Sequence, residues 1–203
     1  MSETFTIIGV LFMAMVIHEY AHAWTAFKLG DPTAKNLGRM TLNPIKHIDL
    51  FGTIILPIVL TIMRLFGSPF FPIALAKPVP VNYTRLHNPK RDMMLVGIAG
   101  PAINVVIAIV LSFFLKFNLF SGATELISLA IFINLILAIF NMIPIPPLDG
   151  SRLAMGLLPS NIGRYYGRLE RYGILIIFAL LPLGLFEKIV LPITVICAHI
   201  LGV

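Results

Sequence analysis

Charged residues are scarce in this sequence of 203 residues, since Lys, Arg, Asp and Glu together make up only 12% of it. A soluble domain carries about 25% charged residues, whereas 58% of this chain is hydrophobic and its mean hydropathy is +0.95. The scarcity of charge excludes an ordinary soluble protein and indicates an integral membrane protein. Little of the chain remains for an additional soluble domain, so we expect residues 1–203 to form a single integral-membrane domain.

Cysteine is almost absent as well, because Cys197 is the single one. One cysteine excludes an internal disulfide bond. The sequence also lacks internal repeats and low-complexity tracts. The net charge of +6 is explained by basic loops that set the topology and contact anionic headgroups of the lipid bilayer, so no nucleic-acid partner is expected.

Long apolar runs divide the chain into about five membrane segments and predict an all-α polytopic membrane protein. The segments lie at about 5–29, 50–66, 93–115, 125–142 and 173–200. The first is too long for the core of a signal peptide and is expected to be retained. Pro182 and Pro192 are expected to bend or divide the C-terminal membrane segment.

Basic loops on both sides of the second segment predict an unusual path for it. The loops at about 28–46 and 77–91 are both rich in Lys and Arg, which places both in the cytoplasm. A single crossing by residues 50–66 would separate them. We therefore expect a re-entrant or extended stretch between the first and third helices, with extended backbone at about 68–80. The basic residues 151–172 would be a cytoplasmic loop or an interfacial helix.

The strongest chemical signal lies inside the first apolar segment, where residues 18–22 read His-Glu-Tyr-Ala-His. His18 and His22 are four residues apart, so a helix presents both rings on one face, where they can bind one metal ion. Glu19 could then reach a water on that ion. An acidic side chain at the centre of a membrane helix costs roughly 2.5–3.5 kcal/mol, and a metal ion compensates for it. The pattern favours zinc hydrolase chemistry over two histidines that only hydrogen-bond to neighbouring helices.

A catalytic zinc site needs a third protein ligand and an open position for water. Most other acidic residues lie near the ends of the membrane segments, where solvation explains them: Glu3, Asp31, Asp49, Asp92, Glu125, Glu170 and Glu187. Asp149 differs, because it follows the proline-broken end of the fourth segment in a stretch without other charges, and Gly150 permits a tight turn beside it. We predict Asp149 as the third ligand, with a turn-forming aspartate as the alternative.

Several other polar residues lie in or near the membrane segments. Asn104 and Asn141 could contact the substrate or the oxyanion of the reaction, or they could form hydrogen bonds between helices. His47, His87 and His199 lie near segment ends, where we expect solvation at the interface rather than metal binding.

These motifs together resemble the site-2 protease family of intramembrane zinc metalloproteases. The resemblance rests on His18-Glu19-Tyr20-Ala21-His22, on the run Asn-Met-Ile-Pro-Ile-Pro-Pro-Leu-Asp-Gly at 141–150 and on Gly-Pro-Ala-Ile-Asn at 100–104. Thr-Leu-Asn-Pro at 41–44 and Ala-Lys-Pro-Val-Pro at 76–80 are similar to short members of the family that lack a PDZ or CBS domain. The resemblance covers a catalytic core at about 8–155 and does not extend to the membrane segment at about 173–200.

The resemblance implies that one Zn²⁺ ion is bound by His18, His22 and Asp149. Glu19 would then be the catalytic base. It implies a multi-pass protein of the cell membrane, with its active site toward the cytoplasmic side. The activity would be regulated intramembrane proteolysis, in which peptide bonds are hydrolysed in single-pass membrane proteins or membrane peptide remnants. We expect the extended stretch at 68–82 to pair with the unwound substrate.

Two other classes of function remain as alternatives. A membrane transporter that handles metal ions would carry polar residues through several spans, and this sequence has few. A non-catalytic membrane scaffold would not need the intact Glu19.

Overall fold

The computed structural model describes residues 2–66 and 76–203, and within these ranges the protein is helical and contains no strands. The α-helices, in chain order, are α1 Ser2–Lys28, α2 Thr33–Asn36, α3 Leu56–Leu65, α4 Pro89–Lys116, α5 Thr124–Asn141, α6 Gly150–Leu157, α7 Ser160–Gly167, α8 Gly173–Leu180 and α9 Leu191–Ile200. Short 3-10 helices occur at Pro44–His47, Tyr83–Arg85, Ser121–Ala123 and Arg168–Tyr172. Single π-helical turns occur at Leu50–Ile55 and Phe186–Val190.

Three helices in the described part of the chain, α1, α4 and α5, are long and apolar enough to cross a membrane. They coincide with the first, third and fourth predicted segments, because a continuous apolar run can satisfy its backbone in lipid only as a helix. The prediction of an all-α fold with helices able to span a membrane is confirmed for the described residues. The count of five segments is not, since the second segment forms a π-helical turn followed by the ten-residue α3.

The last predicted segment is divided, as expected, but only one of its two prolines lies at the division. A turn at residues 181–184 separates α8 from the helical run that ends in α9, and it contains Pro182. Gly184 in this turn has φ +92, a value that glycine adopts without a steric penalty. Pro192 lies in the first turn of α9, directly after the π-helical turn at Phe186–Val190, so it lies within the continuous helical run and does not divide it.

The centre of the bundle is α4, which packs against both α1 and α5. A small residue also lets α4 approach α6 closely: a Cβ atom added to Gly97 would lie 2.7 Å from the Cβ of Arg152 on α6. Ala108, at 0% exposure, packs with Ile131 and Leu135 of α5. In lipid, helices associate through such packing and through hydrogen bonds rather than through the hydrophobic effect.

The three basic stretches of the sequence meet at one end of the bundle. The N–H of His87 donates to the carbonyl of Leu29 at 2.9 Å, and the N–H of Asn82 donates to Asp31 at 2.6 Å. The guanidinium of Arg152 lies 5.1 Å from the centre of the Tyr83 ring. The chain therefore leaves α1 and enters α4 at the same end, as a re-entrant second segment requires. Residues 67–75, which contain most of the predicted extended stretch, lie outside the described residues.

The expectation that His47 is solvated is wrong. Its side chain is 0% exposed, and Nε2 donates to the carbonyl of Thr41 at 2.8 Å. The 3-10 helix at Pro44–His47 folds against the extended residues 76–80, and the carbonyl of His47 accepts from the N–H of Lys77 at 2.8 Å. His87 and His199 are exposed, as predicted.

Candidate metal centre

Three side chains converge at the centre of the bundle, although up to 131 residues separate them in sequence. His18 Nε2 and His22 Nε2 are 3.0 Å apart, and Asp149 Oδ2 lies 2.9 Å from the first and 3.1 Å from the second. The histidines are buried, and the Asp149 side chain is 20% exposed. The structure thus brings together the three predicted ligands, in a group that could hold a metal ion.

The space in front of the two rings exists because residue 100 has no side chain. A Cβ atom at Gly100 would lie 2.4 Å from His22 Nε2 and 2.5 Å from His18 Nε2. Real Cβ atoms essentially never approach other atoms so closely. Gly100 therefore forms one wall of a cradle in which the donor atoms of α1 and Asp149 face each other.

Both rings are oriented by hydrogen bonds from the nitrogen that faces away from the cradle. His18 Nδ1 lies 2.6 Å from Asn104 Oδ1, and His22 Nδ1 lies 2.7 Å from the carbonyl oxygen of Val96. Since both partners are oxygens that accept, we assign the proton of each ring to Nδ1. Histidines that bind metals are usually oriented in this way.

This assignment leaves a lone pair on each Nε2, and both lone pairs face the Asp149 carboxylate. Three acceptor atoms within 3.1 Å of one another repel unless a cation lies between them. Tetrahedral zinc with ligands at about 2.1 Å separates them by about 3.4 Å, a few tenths of an ångström more than observed here. The donor set and its spacing therefore fit zinc with a small expansion of the cradle.

The carboxylate of Glu19 lies on the neighbouring face of α1 and has a different partner. Its Oε2 accepts a hydrogen bond of 2.7 Å from the N–H of Val79. Val79 belongs to the extended residues 76–80, which are also held by Arg39 through its bond of 2.8 Å to the carbonyl of Lys77. Glu19 is half-buried, and this hydrogen bond places its carboxylate beside the extended segment.

The loop that carries Asp149 is held from outside by the tyrosine-rich region. Pro144, Pro146 and Pro147 lack N–H groups, so only the other residues of the loop, among them Ile145 and Leu148, donate backbone hydrogen bonds within it. The Tyr166 hydroxyl donates to the carbonyl of Pro144, and burial raises the pKa of Tyr166 above its ordinary value. The basic stretch at 151–172 is helical except at residues 158–159, and through Tyr166 it braces this loop.

We expect Tyr166→Phe to lower the thermal stability of the protein. The variant loses one hydrogen bond, worth about 0.5–1.5 kcal/mol, and a protein of this size loses about 2–4 °C in Tm per kcal/mol. The measurement is thermal unfolding in detergent micelles. Tyr165→Phe is the matched control, because Tyr165 is 67% exposed. Equal shifts in the two variants would show that the Pro144 contact does not brace the loop.

The two asparagines singled out in the sequence occupy different positions. Asn104 is 0% exposed and bonds to His18 on one side and to Asn134 of α5 on the other, at 2.8 Å. These bonds connect different helices, which is the alternative to contact with the substrate or the oxyanion that the sequence left open. Asn141 is half-buried, and its Nδ2 donates to the carbonyl of Leu137 on its own helix at 2.9 Å. A role of either residue at the oxyanion stays a prediction.

Sequence reasoning overlooked Asn134, which is 3% exposed. The signal was present, because an amide within an apolar membrane segment needs hydrogen-bond partners. In the sequence, Gly100 stood out only as the first residue of the motif at 100–104, and nothing there placed it against the two rings.

Comparison with known proteins places this chain in a family of enzymes. The model of peptidase family M50 matches residues 118–184, a range that contains Asp149. The protein named "Putative zinc metalloprotease YwhC" from Bacillus subtilis is 37% identical over 187 residues, which cover 86% of this chain and 80% of that protein. The chain belongs to peptidase family M50, the site-2 protease family, and it is a zinc metalloprotease.

Two further relatives are more distant. The protein named "Putative zinc metalloprotease Rip2" from Mycolicibacterium smegmatis is 30% identical over 177 residues, which cover 83% of this chain and 63% of that protein. "Zinc metalloprotease MJ0392" of Methanocaldococcus jannaschii is 29% identical over 76% of this chain but only 34% of its own length. No solved structure matches the chain.

Proposed function

We propose that this protein is an intramembrane endopeptidase that hydrolyses peptide bonds within transmembrane segments of other membrane proteins. In this proposal one zinc ion is held by His18, His22 and Asp149, and Glu19 acts as the catalytic base. The substrates are single-pass membrane proteins or the membrane remnants left after another cleavage, and regulated release of their products is the expected biological use.

The observation that carries the proposal is the convergence of three donor atoms between membrane helices. His18 and His22 lie on α1, one of the helices long and apolar enough to cross a membrane. His22 is six residues before the end of α1 at Lys28, a distance of about 9 Å along the axis. A hydrolytic site at this depth meets its substrates inside the membrane.

The chemistry assigns a separate task to each side chain. Zinc in this cradle would polarise the scissile carbonyl and lower the pKa of water to about 7. Glu19 accepts a proton from the attacking water and delivers it to the leaving amine. The Nδ1 bonds of His18 and His22 hold the two rings at fixed orientations, so that the donor atoms are in place before the substrate arrives.

The charge distribution supports an active site that opens toward the cytoplasm. The loops that follow α1 and precede α4 are basic, and they lie together at one end of the bundle with Arg152. Basic loops are retained on the cytoplasmic side of membranes. Asp149, the predicted ligand with a 20% exposed side chain, immediately precedes α6, the helix that carries Arg152, at this end.

We expect Asp149→Asn to remove most of the bound zinc. The purified wild-type protein should contain about one zinc ion per chain, because one group of three ligands is expected to form the site. The variant has a neutral amide in place of the carboxylate and should retain a small fraction of the metal. The measurement is elemental analysis of protein purified in detergent, and Asp49→Asn at the start of the second segment is the matched control.

Cleavage is tested in lipid vesicles. The probe is a synthetic transmembrane segment with glycine and asparagine near its centre, which weaken its helix, and mass spectrometry locates the cut. Wild-type protein should cut within the segment. A fully folded protein without zinc would refute the metal site, and cleavage only outside the membrane segment would refute the intramembrane assignment.

A further inference from the structure

A chain of three hydrogen bonds runs from the candidate metal centre to the backbone of α5. His18 Nδ1 bonds to Asn104 Oδ1 at 2.6 Å, Asn104 Nδ2 donates to Asn134 Oδ1 at 2.8 Å, and Asn134 Nδ2 donates to the carbonyl of Ala130 at 2.8 Å. The chain links α1, α4 and α5 through side chains that are at most 5% exposed.

The carbonyl of Ala130, at which this series of hydrogen bonds ends, fixes which group donates and which accepts in every bond of the series. A backbone carbonyl can only accept, so the group of Asn134 that faces Ala130 is its NH₂. The Oδ1 of Asn134 then faces Asn104 and requires the NH₂ of Asn104. That orientation turns the Oδ1 of Asn104 toward His18, which must donate from Nδ1.

We propose that Asn134 is a positioning residue that, through Asn104, keeps His18 in the tautomer that can bind metal. This inference rests on the proposed function, because it concerns the same zinc site. Without Asn134 the Asn104 amide can rotate and present its NH₂ to His18. The ring proton then moves to Nε2, which loses the lone pair directed at the metal.

Burial makes this rotation consequential. Asn104 is 0% exposed, so water cannot satisfy its amide in either orientation. The three hydrogen bonds of the series therefore select the orientation of the amide. His22 is oriented differently, since its Nδ1 partner is the backbone carbonyl of Val96, which cannot be reversed. Of the two rings, His18 alone depends on an amide that has two orientations.

The test is a double-variant cycle in which zinc affinity is measured by competition with a chromophoric chelator. Asn134→Leu should weaken zinc binding by about tenfold, and Asn104→Leu by about 10–100-fold, the range typical for groups that orient metal ligands. Asn104→Asp should stay close to the wild type, because either oxygen of a carboxyl group can accept from His18 Nδ1, and the oxygen that faces Asn134 Oδ1 can carry the proton that a buried carboxyl group retains.

The decisive measurement is the effect of Asn134→Leu in the Asn104→Asp background. If Asn134 acts by orienting the amide, the added change should alter zinc affinity by no more than about twofold, the error of additivity. Binding of Co²⁺, followed by its visible spectrum, reports whether the coordination geometry is preserved. An equal loss in both backgrounds would show that Asn134 only packs the helices, and would overturn the inference.

Asn134→Leu also loses the hydrogen bond from the Asn134 side chain to the carbonyl of Ala130. Thr194→Val is the matched control for that loss. Thr194 is 0% exposed, and its hydroxyl donates to the carbonyl of Val190 four residues earlier, at 2.8 Å, as Asn134 does to Ala130. It should leave zinc affinity unchanged. Apo-protein melting curves for all variants separate folding defects from metal effects. If the wild type binds no zinc, the proposed function fails; if it binds zinc but Asn134→Leu does not weaken it, the positioning role alone fails.

Discussion

Replacing Glu19 with glutamine is expected to reduce peptide-bond cleavage by about 10²–10⁴-fold, the usual contribution of general acid–base catalysis, while zinc binding persists. Glutamine has nearly the same shape, and its carbonyl oxygen can still accept the hydrogen bond from the Val79 N–H that Glu19 Oε2 accepts at 2.7 Å. It cannot accept a proton from water at neutral pH. The measurements are cleavage of the transmembrane probe in vesicles and zinc content of the same preparation.

Glu125→Gln provides the control, because Glu125 lies exposed in the first turn of α5 and has no assigned role in the chemistry. A Glu19→Gln protein that cleaves at the wild-type rate would exclude Glu19 as the base. The same variant separates the alternatives in function, since a metal transporter would retain transport and a scaffold would retain its partners.

Replacing Gly100 with alanine is expected to abolish zinc binding, with a loss of affinity of at least about 100-fold, the upper range for groups that only orient ligands. The added Cβ would lie 2.4–2.5 Å from the Nε2 atoms of both histidines. The rings cannot turn away cheaply, because Asn104 and Val96 hold them at Nδ1. Either a ring leaves its hydrogen bond or α4 moves away from α1.

The control for added bulk is Gly9→Ala on α1, where a Cβ atom would have no neighbour within 4 Å. Zinc content and melting temperature are measured for both variants. Gly9→Ala should bind zinc like the wild type. If Gly100→Ala also does so and melts at the wild-type temperature, the cradle described here is not the metal site.

The parts of the fold that sequence analysis predicted are those in which one physical requirement dominates. Apolar runs must be helical in lipid, so the bounds of α1, α4 and α5 followed from composition alone. Charge predicted that the chain leaves α1 and enters α4 at the same end. The division of the last segment was also predicted, because Pro182 cannot donate within a helix. His47 was misjudged, because its burial depends on the extended residues 76–80, which are close only after folding.

The candidate site, too, could be predicted from the sequence only in part. The HExxH spacing in the opening helix and one unexplained aspartate after a proline-rich turn were sufficient to select His18, His22 and Asp149. Residue types and spacing do not report which atoms face each other across helices. The pairing of His18 with Asn104, and of Asn104 with Asn134, became visible only when α1, α4 and α5 were placed side by side.

By itself, the sequence determined that the chain carries segments long and apolar enough to cross a membrane, that its main elements are helices, and that a pair of imidazoles shares one helix face. Local chemistry decides these matters, since each depends on residues within a few turns of one another. Only the tertiary structure decided that a glycine leaves room for an ion, that a distant carboxylate reaches the imidazoles, and that an amide chain orients one of them. These properties depend on distances of about 3 Å between residues far apart along the chain, which the packing of several helices sets together.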